Sequence, residues 1–585
     1  MSAAGVFGHA EPVDPDLERE AGEPAAAATQ ALEREFGLLA GLDTMGFASA
    51  MTELGRALAT RPDAVLGAAA RLNANLTAAV VSTAARSMGA EIPSPVDTDG
   101  KDRRFRDEAW TRNPWFYGIG QSYQAWTRYM HELVDAADLP QPTGLKADFA
   151  VSLLVDAVAP TNFLFTNPTA LRRAADTGGR SVVAGMMNFT RDLVTNGGRP
   201  KQVDDSAFRV GENLACTPGK VVFRNELMEL IQYSPQTETT FEVPLLMSPP
   251  WINKYYIMDL APDRSFVEWA VRRGHTTFAI SYRNPDESMR HIALDDYLLH
   301  GPHTALDVIR DITGSEQVNM VGLCLGGTLT AMLLAYLAST GEERIRSATL
   351  LNTLIDFREP GPMGCFVDQS SVQRLDKKML RRGFLDANEM SGMFDLLRAR
   401  DLIWNYVSSG WLMGEDPPAF DVLVWNSDGT RLPADMHSFY LRYCYLENQL
   451  ARGEMSLAGT DLKLDRIKAD VYLLGAKEDH IAPWKSAYGT TQLLTSPVRF
   501  VLSSSGHVAG IVNPPGSKRH YWTNDDLPGD PDAWLAGAEE HAGSWWLDWG
   551  DWIDARAGER RQPPPMGGDQ HPPIADAPGD YVHEK

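Results

Sequence analysis

Cysteine is scarce in this chain. Only four occur in 585 residues, Cys216, Cys324, Cys365 and Cys444. They form no CxxC pair and no Cys/His cluster at metal-ligand spacing, which argues against a zinc site. Thiols so few and scattered suit a reducing compartment. Basic residues are also in deficit: 54 Lys and Arg face 77 Asp and Glu, a net charge of −23. That balance argues against a nucleic-acid surface, and an anionic substrate would have to be met by locally gathered cations. Long apolar runs are missing too. The longest, residues 329–338, falls short of the roughly 20 residues a membrane-spanning helix needs. The chain does not open with a basic segment followed by an apolar run, as a signal peptide would. The expectation is a cytoplasmic protein without a transmembrane segment. Its hydrophobic fraction of 44% and charged fraction of 22% are ordinary for a globular chain, and its length allows one large domain plus a second.

Residues 1–30 are Ala-rich and acidic with no periodic apolar face, which predicts a disordered tail. Over 31–210 apolar residues recur at spacings of three and four (Leu54, Leu58, Val65, Leu72, Leu76, Val80), predicting an all-α N-terminal domain. From 211 the pattern changes. Short strand-like runs at 221–223, 227–231, 243–247, 277–282, 347–351, 471–474 and 498–502 alternate with helical stretches at 266–273 and 300–312. That alternation predicts an α/β domain over 211–560 with a mostly parallel sheet covered on both faces. An insertion at 356–433, rich in Trp, Pro and Gly, would lie above the C-terminal edge of the sheet as a cap or lid. A dense Trp group follows (Trp534, Trp545, Trp546, Trp549, Trp552), then a Pro-rich tail over 561–585 expected to be loosely ordered.

The most informative segment is Gly322-Leu323-Cys324-Leu325-Gly326-Gly327, a strand running into Gly-x-Cys-x-Gly with a helix over 328–338. A lone Cys on an apolar strand is usually a small buried hydrophobe. Glycines on both sides, a strand before and a helix after instead make this the layout of a nucleophile elbow. The helix N-terminus adds free N–H groups and partial positive charge beside the nucleophile. Such a nucleophile needs a base, and the base needs an orienting acid, which in α/β-hydrolase order come later in the chain. The strand at 471–474 runs into Lys477-Glu478-Asp479-His480, and the strand at 498–502 into Ser505-Gly506-His507. Both loops fall at the strand ends where Cys324 lies. His507 is the expected base, with His480 a rival that lines the site. Asp479 is the expected acid, with Asp356 the less favoured alternative. The backbone N–H of Leu325 should form half of an oxyanion hole. The other half should come from the loop after the strand at 243–247, where Pro249 and Pro250 cannot donate, leaving Trp251 or Ile252.

An acyl-Cys is a thioester and keeps its acyl group activated, which favours transfer over hydrolysis. The motifs Gly-Leu-Cys-Leu-Gly-Gly at 322–327, Pro-Pro-Trp-Ile-Asn-Lys-Tyr-Tyr-Ile-Met-Asp-Leu at 249–260, Phe-Ala-Ile-Ser-Tyr-Arg-Asn-Pro at 278–285, Glu-Asp-His-Ile-Ala-Pro-Trp at 478–484, Ser-Gly-His at 505–507 and Gly-Ser-Trp-Trp at 543–546 together resemble the polyhydroxyalkanoate synthases, bacterial polyester polymerases. The likeness reaches nearly everything except the two tails.

The resemblance implies an α/β-hydrolase fold and polymerisation of (R)-3-hydroxyacyl-coenzyme A, 3-hydroxybutyryl-coenzyme A above all, with release of coenzyme A (CoA) and no cofactor. It implies that Cys324 holds the growing chain, Asp479 is the acid and His507 the base. It favours the single-subunit, short-chain (class I) type, a homodimer, and a place on the surface of polyester granules beside granule-associated proteins. Arg398, Arg400, Asn448 and His480 are candidates for contacting the substrate and its CoA. Two other readings stand beside this one: a cysteine thioesterase of the same fold, and an inactive granule-surface protein using its apolar N-terminal helices and Trp group to bind polymer.

Overall fold

The computed structural model describes residues 46–90, 92–96 and 102–585. The tail expected over 1–30, and the start of the helical pattern before residue 46, lie outside the described residues.

Eleven strands form one mixed sheet: β1 Gly219–Arg224, β2 Met228–Tyr233, β3 Leu245–Ser248, β4 Thr277–Tyr282, β5 Val318–Leu323, β6 Ile345–Leu351, β7 Asp470–Ala476, β8 Val498–Ser503, β9 His520–Thr523, β10 Glu539–Ala542 and β11 Ala575–Asp576. Their order across the sheet is β10-β9-β8-β7-β6-β5-β3-β4-β2-β1-β11. The six central strands, from β8 to β4, run parallel, and antiparallel strands complete both edges. Strands such as β4 and β5 are buried at every position, because helices cover both faces. Parallel strands bring the ends of β3, β5, β6, β7 and β8 to one edge, where open α/β sheets bind ligands.

The N-terminal region is all-helical, with helices Phe47–Ala59, Pro62–Ser87, Pro114–Ala137, Thr143–Ala157, Pro168–Asp176 and Arg180–Thr195 as its long elements. Asn113 and Asn167 each cap a helix that starts with proline, their side chains accepting from Trp115 and Ala170 N–H, an arrangement in which neither lost proline donor is missed. Helix Pro62–Ser87 is long and apolar enough to cross a membrane by length and composition alone. Its apolarity comes mostly from alanine, so it contains no long run of larger apolar residues. The region packs on the cap as well as on itself: Phe47 and Phe149 stack against each other and edge-on to Phe366, Asp156 accepts from Arg400 at 2.6 Å, and Asp192 accepts from the Trp411 indole at 2.8 Å.

The insertion between β6 and β7 is helical, as expected, but it does not stop at 433. Helix Ala434–Phe439 leads directly into the wide-turned segment Tyr440–Leu446 and helix Gln449–Arg452 before β7 begins. Pro433 ends a two-residue strand and directly precedes the next helix, so the insertion runs on through it.

The C-terminal segment also departs from expectation. It is not loosely ordered. Strand β11 pairs with β1, and the buried Glu229 carboxylate accepts from the Asp580 and Tyr581 N–H groups. Buried Lys254 donates to the Tyr581 and Glu584 carbonyls at 3.1 and 2.7 Å, and burial pulls its ammonium down to about 8. Proline content misled because these anchors are 300 or more residues away in sequence. The Trp group is no polymer-binding surface either: Trp534, Trp545, Trp546 and Trp549 are fully buried.

Candidate active site

Cys324 stands where β5 gives way to helix Leu325–Thr340, with φ 51° and ψ −116°. That left-handed backbone costs a residue other than glycine about 1–3 kcal/mol, and the surroundings impose it. The Cys324 N–H donates to Leu351 O at 2.9 Å, while its carbonyl accepts from Gly327 and Thr328 N–H at 2.9 and 3.0 Å. The turn is tight enough that a Cβ on Gly322 would lie 2.5 Å from Gly327 Cα, and one on Gly326 would collide with the Ser248 and Pro249 carbonyls. The glycines therefore let helix, strand and the loop after β3 meet. Of the four cysteines only Cys324 lines the cavity above the sheet. Burial pushes the Cys365 and Cys444 thiols upward, which leaves them inert.

His507 opens the short helix His507–Ile511 after β8, and Asp479 lies in the turn after β7. His507 Nδ1 and Asp479 Oδ2 are 2.6 Å apart. Asp479 Oδ1 accepts from the Ile481 and Ala482 N–H groups at 2.8 and 2.9 Å, so the carboxylate is fixed from both sides. His507 and Cys324 line the same cavity. Burial opposes charge on this imidazole, but the Asp479 carboxylate and the Cys324 sulfur outweigh it and hold the His507 pKa well above the usual histidine value. The sequence-predicted trio thus converges, on loops whose backbones are stitched together by Lys477 N–H to Ser503 O and Glu478 N–H to Ser505 O, at 2.8 and 2.9 Å.

Two supports escaped sequence reasoning. Asn352, buried at the end of β6, donates its side-chain N–H to the His507 carbonyl at 2.6 Å. The indoles of Trp545 and Trp546 donate to the Gly510 and Ile511 carbonyls at 2.8 and 2.9 Å, bracing the far end of the His507 helix. No motif marks Asn352; a polar residue directly after an apolar strand was its only signal.

Leu325, Trp251 and Ile252 line the cavity together with Cys324. Among the described residues, their N–H groups donate to no protein acceptor. His480 lines the cavity too. Burial, then the positive charge of Arg398, lowers its pKa to about 4, and its Nδ1 is buried without a partner. Arg398 reaches the cavity near Gly506 while pairing with Asp401. Arg400 also lines the cavity and is engaged with Asp156 of the N-terminal region.

Asn448 does not line the cavity. Its side chain is buried, accepting from Phe357 N–H at 2.9 Å and donating to Asp356 Oδ1 at 2.8 Å. It is committed to fixing the turn after β6. Asp356 is likewise held by Arg358 and Asn448 and is no part of the trio.

The cavity measures about 2100 Å³. Its apolar lining includes Leu325, Leu354, Met390, Met393, Phe394 and Trp425. Its charged lining comprises eleven Lys or Arg residues against four Asp or Glu, the reverse of the balance of the whole chain.

Fold and elbow define an enzyme of the α/β-hydrolase fold, and residues 248–514 match the family described by that name. Residues 101–270 match the family described as the poly-beta-hydroxybutyrate polymerase (PhaC) N-terminus. A poly(3-hydroxyalkanoate) polymerase subunit PhaC of Rhizobium meliloti is 45% identical over 86% of this chain and 82% of its own. The poly(3-hydroxyalkanoate) polymerase of Methylorubrum extorquens is 43% identical over 90% and 87%, and the Cupriavidus necator subunit PhaC 45% over 83% and 83%. Among solved structures, an esterase from Exiguobacterium antarcticum is similar over 50% of this chain and 92% of its own, at 13% identity and a TM-score of 0.28. The chain belongs to the poly(3-hydroxyalkanoate) polymerases, acyltransferases that build polyester.

Proposed function

We propose that the enzyme polymerises (R)-3-hydroxyacyl-CoA, with 3-hydroxybutyryl-CoA as the preferred substrate, through an acyl-Cys324 intermediate. The observation that carries the reading is that the strained Cys324 and a His507 held by Asp479 line one cavity whose wall is both apolar and basic. His507 takes the thiol proton, and the Cys324 thiolate attacks the thioester carbonyl. The Leu325 N–H, with that of Trp251 or Ile252, receives the developing oxyanion. The C–S bond to CoA breaks, and the proton on His507 leaves with the CoA thiol. The acyl group stays activated as a thioester. The 3-hydroxyl of the incoming or growing chain then gives its proton to His507 and attacks, forming the ester and freeing the Cys324 sulfur. Asp479 holds the imidazole in orientation and balances its charge. No cofactor is required, because the substrate arrives activated.

The enzyme is proposed to be of the single-subunit short-chain (class I) type and to work as a homodimer in the cytoplasm at the surface of its own product, among granule-associated proteins. Exposed apolar side chains on the N-terminal helices, including Val80, Met88, Met187 and Val194, suit an interface with polyester. Incubation of the purified protein with 3-hydroxybutyryl-CoA, following thiol release and turbidity together, tests the reading. Thiol release with insoluble polymer supports it, whereas thiol release with free hydroxy acid would make the protein a thioesterase.

A further inference from the structure

The helix Gln369–Arg382 in the cap carries Arg374, Lys377, Lys378, Arg381 and Arg382, and all five line the same cavity as Cys324. They supply nearly half of the eleven basic residues there. Spacings of three and four put them on one side of the helix. Attraction to the helix C-terminus accounts for Arg381 and Arg382, but the other three lie farther back. Lys378 and Arg382 share one partner, Glu389. Lys377 and Arg381 are exposed, one turn apart, and among the described residues neither makes an ion pair or a side-chain hydrogen bond. Like charges one turn apart destabilise a helix unless an anion sits between them. A chain with a net charge of −23 has thus concentrated unneutralised positive charge on one wall of its reaction cavity.

We infer that Lys377 and Arg381, backed by Lys378 and Arg382, bind the phosphate groups of the incoming thioester's carrier. They act as a specificity-determining subsite of the cavity that Cys324 lines. The inference rests on the reading that the substrate is a CoA thioester and assigns the anionic end of that molecule a place. The phosphates of CoA do not react, so their binding contributes to capture of the substrate, and to the salt dependence of that capture. The arrangement also fits the reaction cycle. The polyester carries no phosphate, so this wall holds the substrate and the departing CoA but not the chain.

The test compares the full-length enzyme with the double variant Lys377→Ala/Arg381→Ala on two thioesters, 3-hydroxybutyryl-CoA and 3-hydroxybutyryl-pantetheine, which lacks the phosphates. Both side chains are exposed, so the substitutions leave the core intact. For the CoA thioester, KM should rise about tenfold with kcat held within twofold, in line with two exposed charge-assisted contacts. The ratio of kcat/KM between the two thioesters should fall by the same factor, and the rate should lose part of its dependence on salt. Inhibition by adenosine 3′,5′-bisphosphate should weaken in parallel, and Lys377→Arg/Arg381→Lys should restore it. An unchanged KM for the CoA thioester, or equal losses on both thioesters, would overturn the inference. A wild-type enzyme that releases no CoA from 3-hydroxybutyryl-CoA would instead bring down the substrate reading on which it rests.

Discussion

Asp479 divides its two carboxylate oxygens between His507 and its own loop. Oδ2 meets His507 Nδ1 at 2.6 Å, and Oδ1 accepts from Ile481 and Ala482 N–H. The acid is therefore held rigidly before it holds the base. Asp479→Asn keeps the loop bonds but turns the imidazole to the wrong tautomer, so kcat should fall roughly 10³-fold or more with little change in fold. CoA release under saturating substrate measures it.

The same contact has a pH signature. The His507 pKa is raised in the folded protein, so its contribution to stability is complete below the unfolded value of about 6.5 and is lost as pH rises through the folded value. Unfolding by denaturant should therefore show stability falling on the alkaline side, and Asp479→Asn should flatten that slope.

Two other histidines work in the opposite sense. Burial lowers the pKa of both His480 and His437 to about 4. Between about 6.5 and about 4 the unfolded chain binds protons that the folded chain refuses, so stability declines as pH falls through that window. Replacing His437 by Gln should lessen this acid sensitivity, read as a smaller drop in unfolding free energy between pH 7 and pH 5.

Much of this site was legible in the chain, and for physical reasons. The elbow announces itself because a strand, two close-packed glycines and a helix must follow one another within a few residues. The Asp479 and His507 loops announce themselves because each ends an apolar strand. What was illegible depends on distant partners. Nothing near Asn448 reveals that its amide is spent on Asp356 and Phe357. Nothing in the Pro-rich end reveals that Glu229 and Lys254 wait for it. The Trp group looked like a surface because aromatic density says nothing of burial, yet three of its indoles cap buried acceptors at Gly510, Ile511 and Thr349.

The C-terminal anchor can be tested on its own. Glu229 is fully buried, pairs with Arg224 and accepts from two backbone N–H groups of the terminal segment. Glu229→Ala leaves the Arg224 charge without its buried partner and those donors unsatisfied, which should destabilise the protein by about 3 kcal/mol. Limited proteolysis should then cut near residue 580 earlier than in the wild type.

Asn352→Ala probes positioning. The substitution removes the bond to the His507 carbonyl but touches no reacting atom. A fall in kcat of roughly tenfold, with a displaced alkaline limb in the pH–rate profile and KM unchanged, marks a positioning role. A loss of thermal stability alone, with kcat intact, would mark a merely structural one.

The central claim is that Cys324 carries the acyl chain. The most direct measurement is peptide mass spectrometry of the enzyme quenched with acid after a brief exposure to 3-hydroxybutyryl-CoA. The account predicts hydroxybutyryl additions on the peptide containing Cys324, removable by hydroxylamine and absent from Cys324→Ala. Release of CoA with the Cys324 peptide unmodified, or with the adduct on another residue, would contradict it.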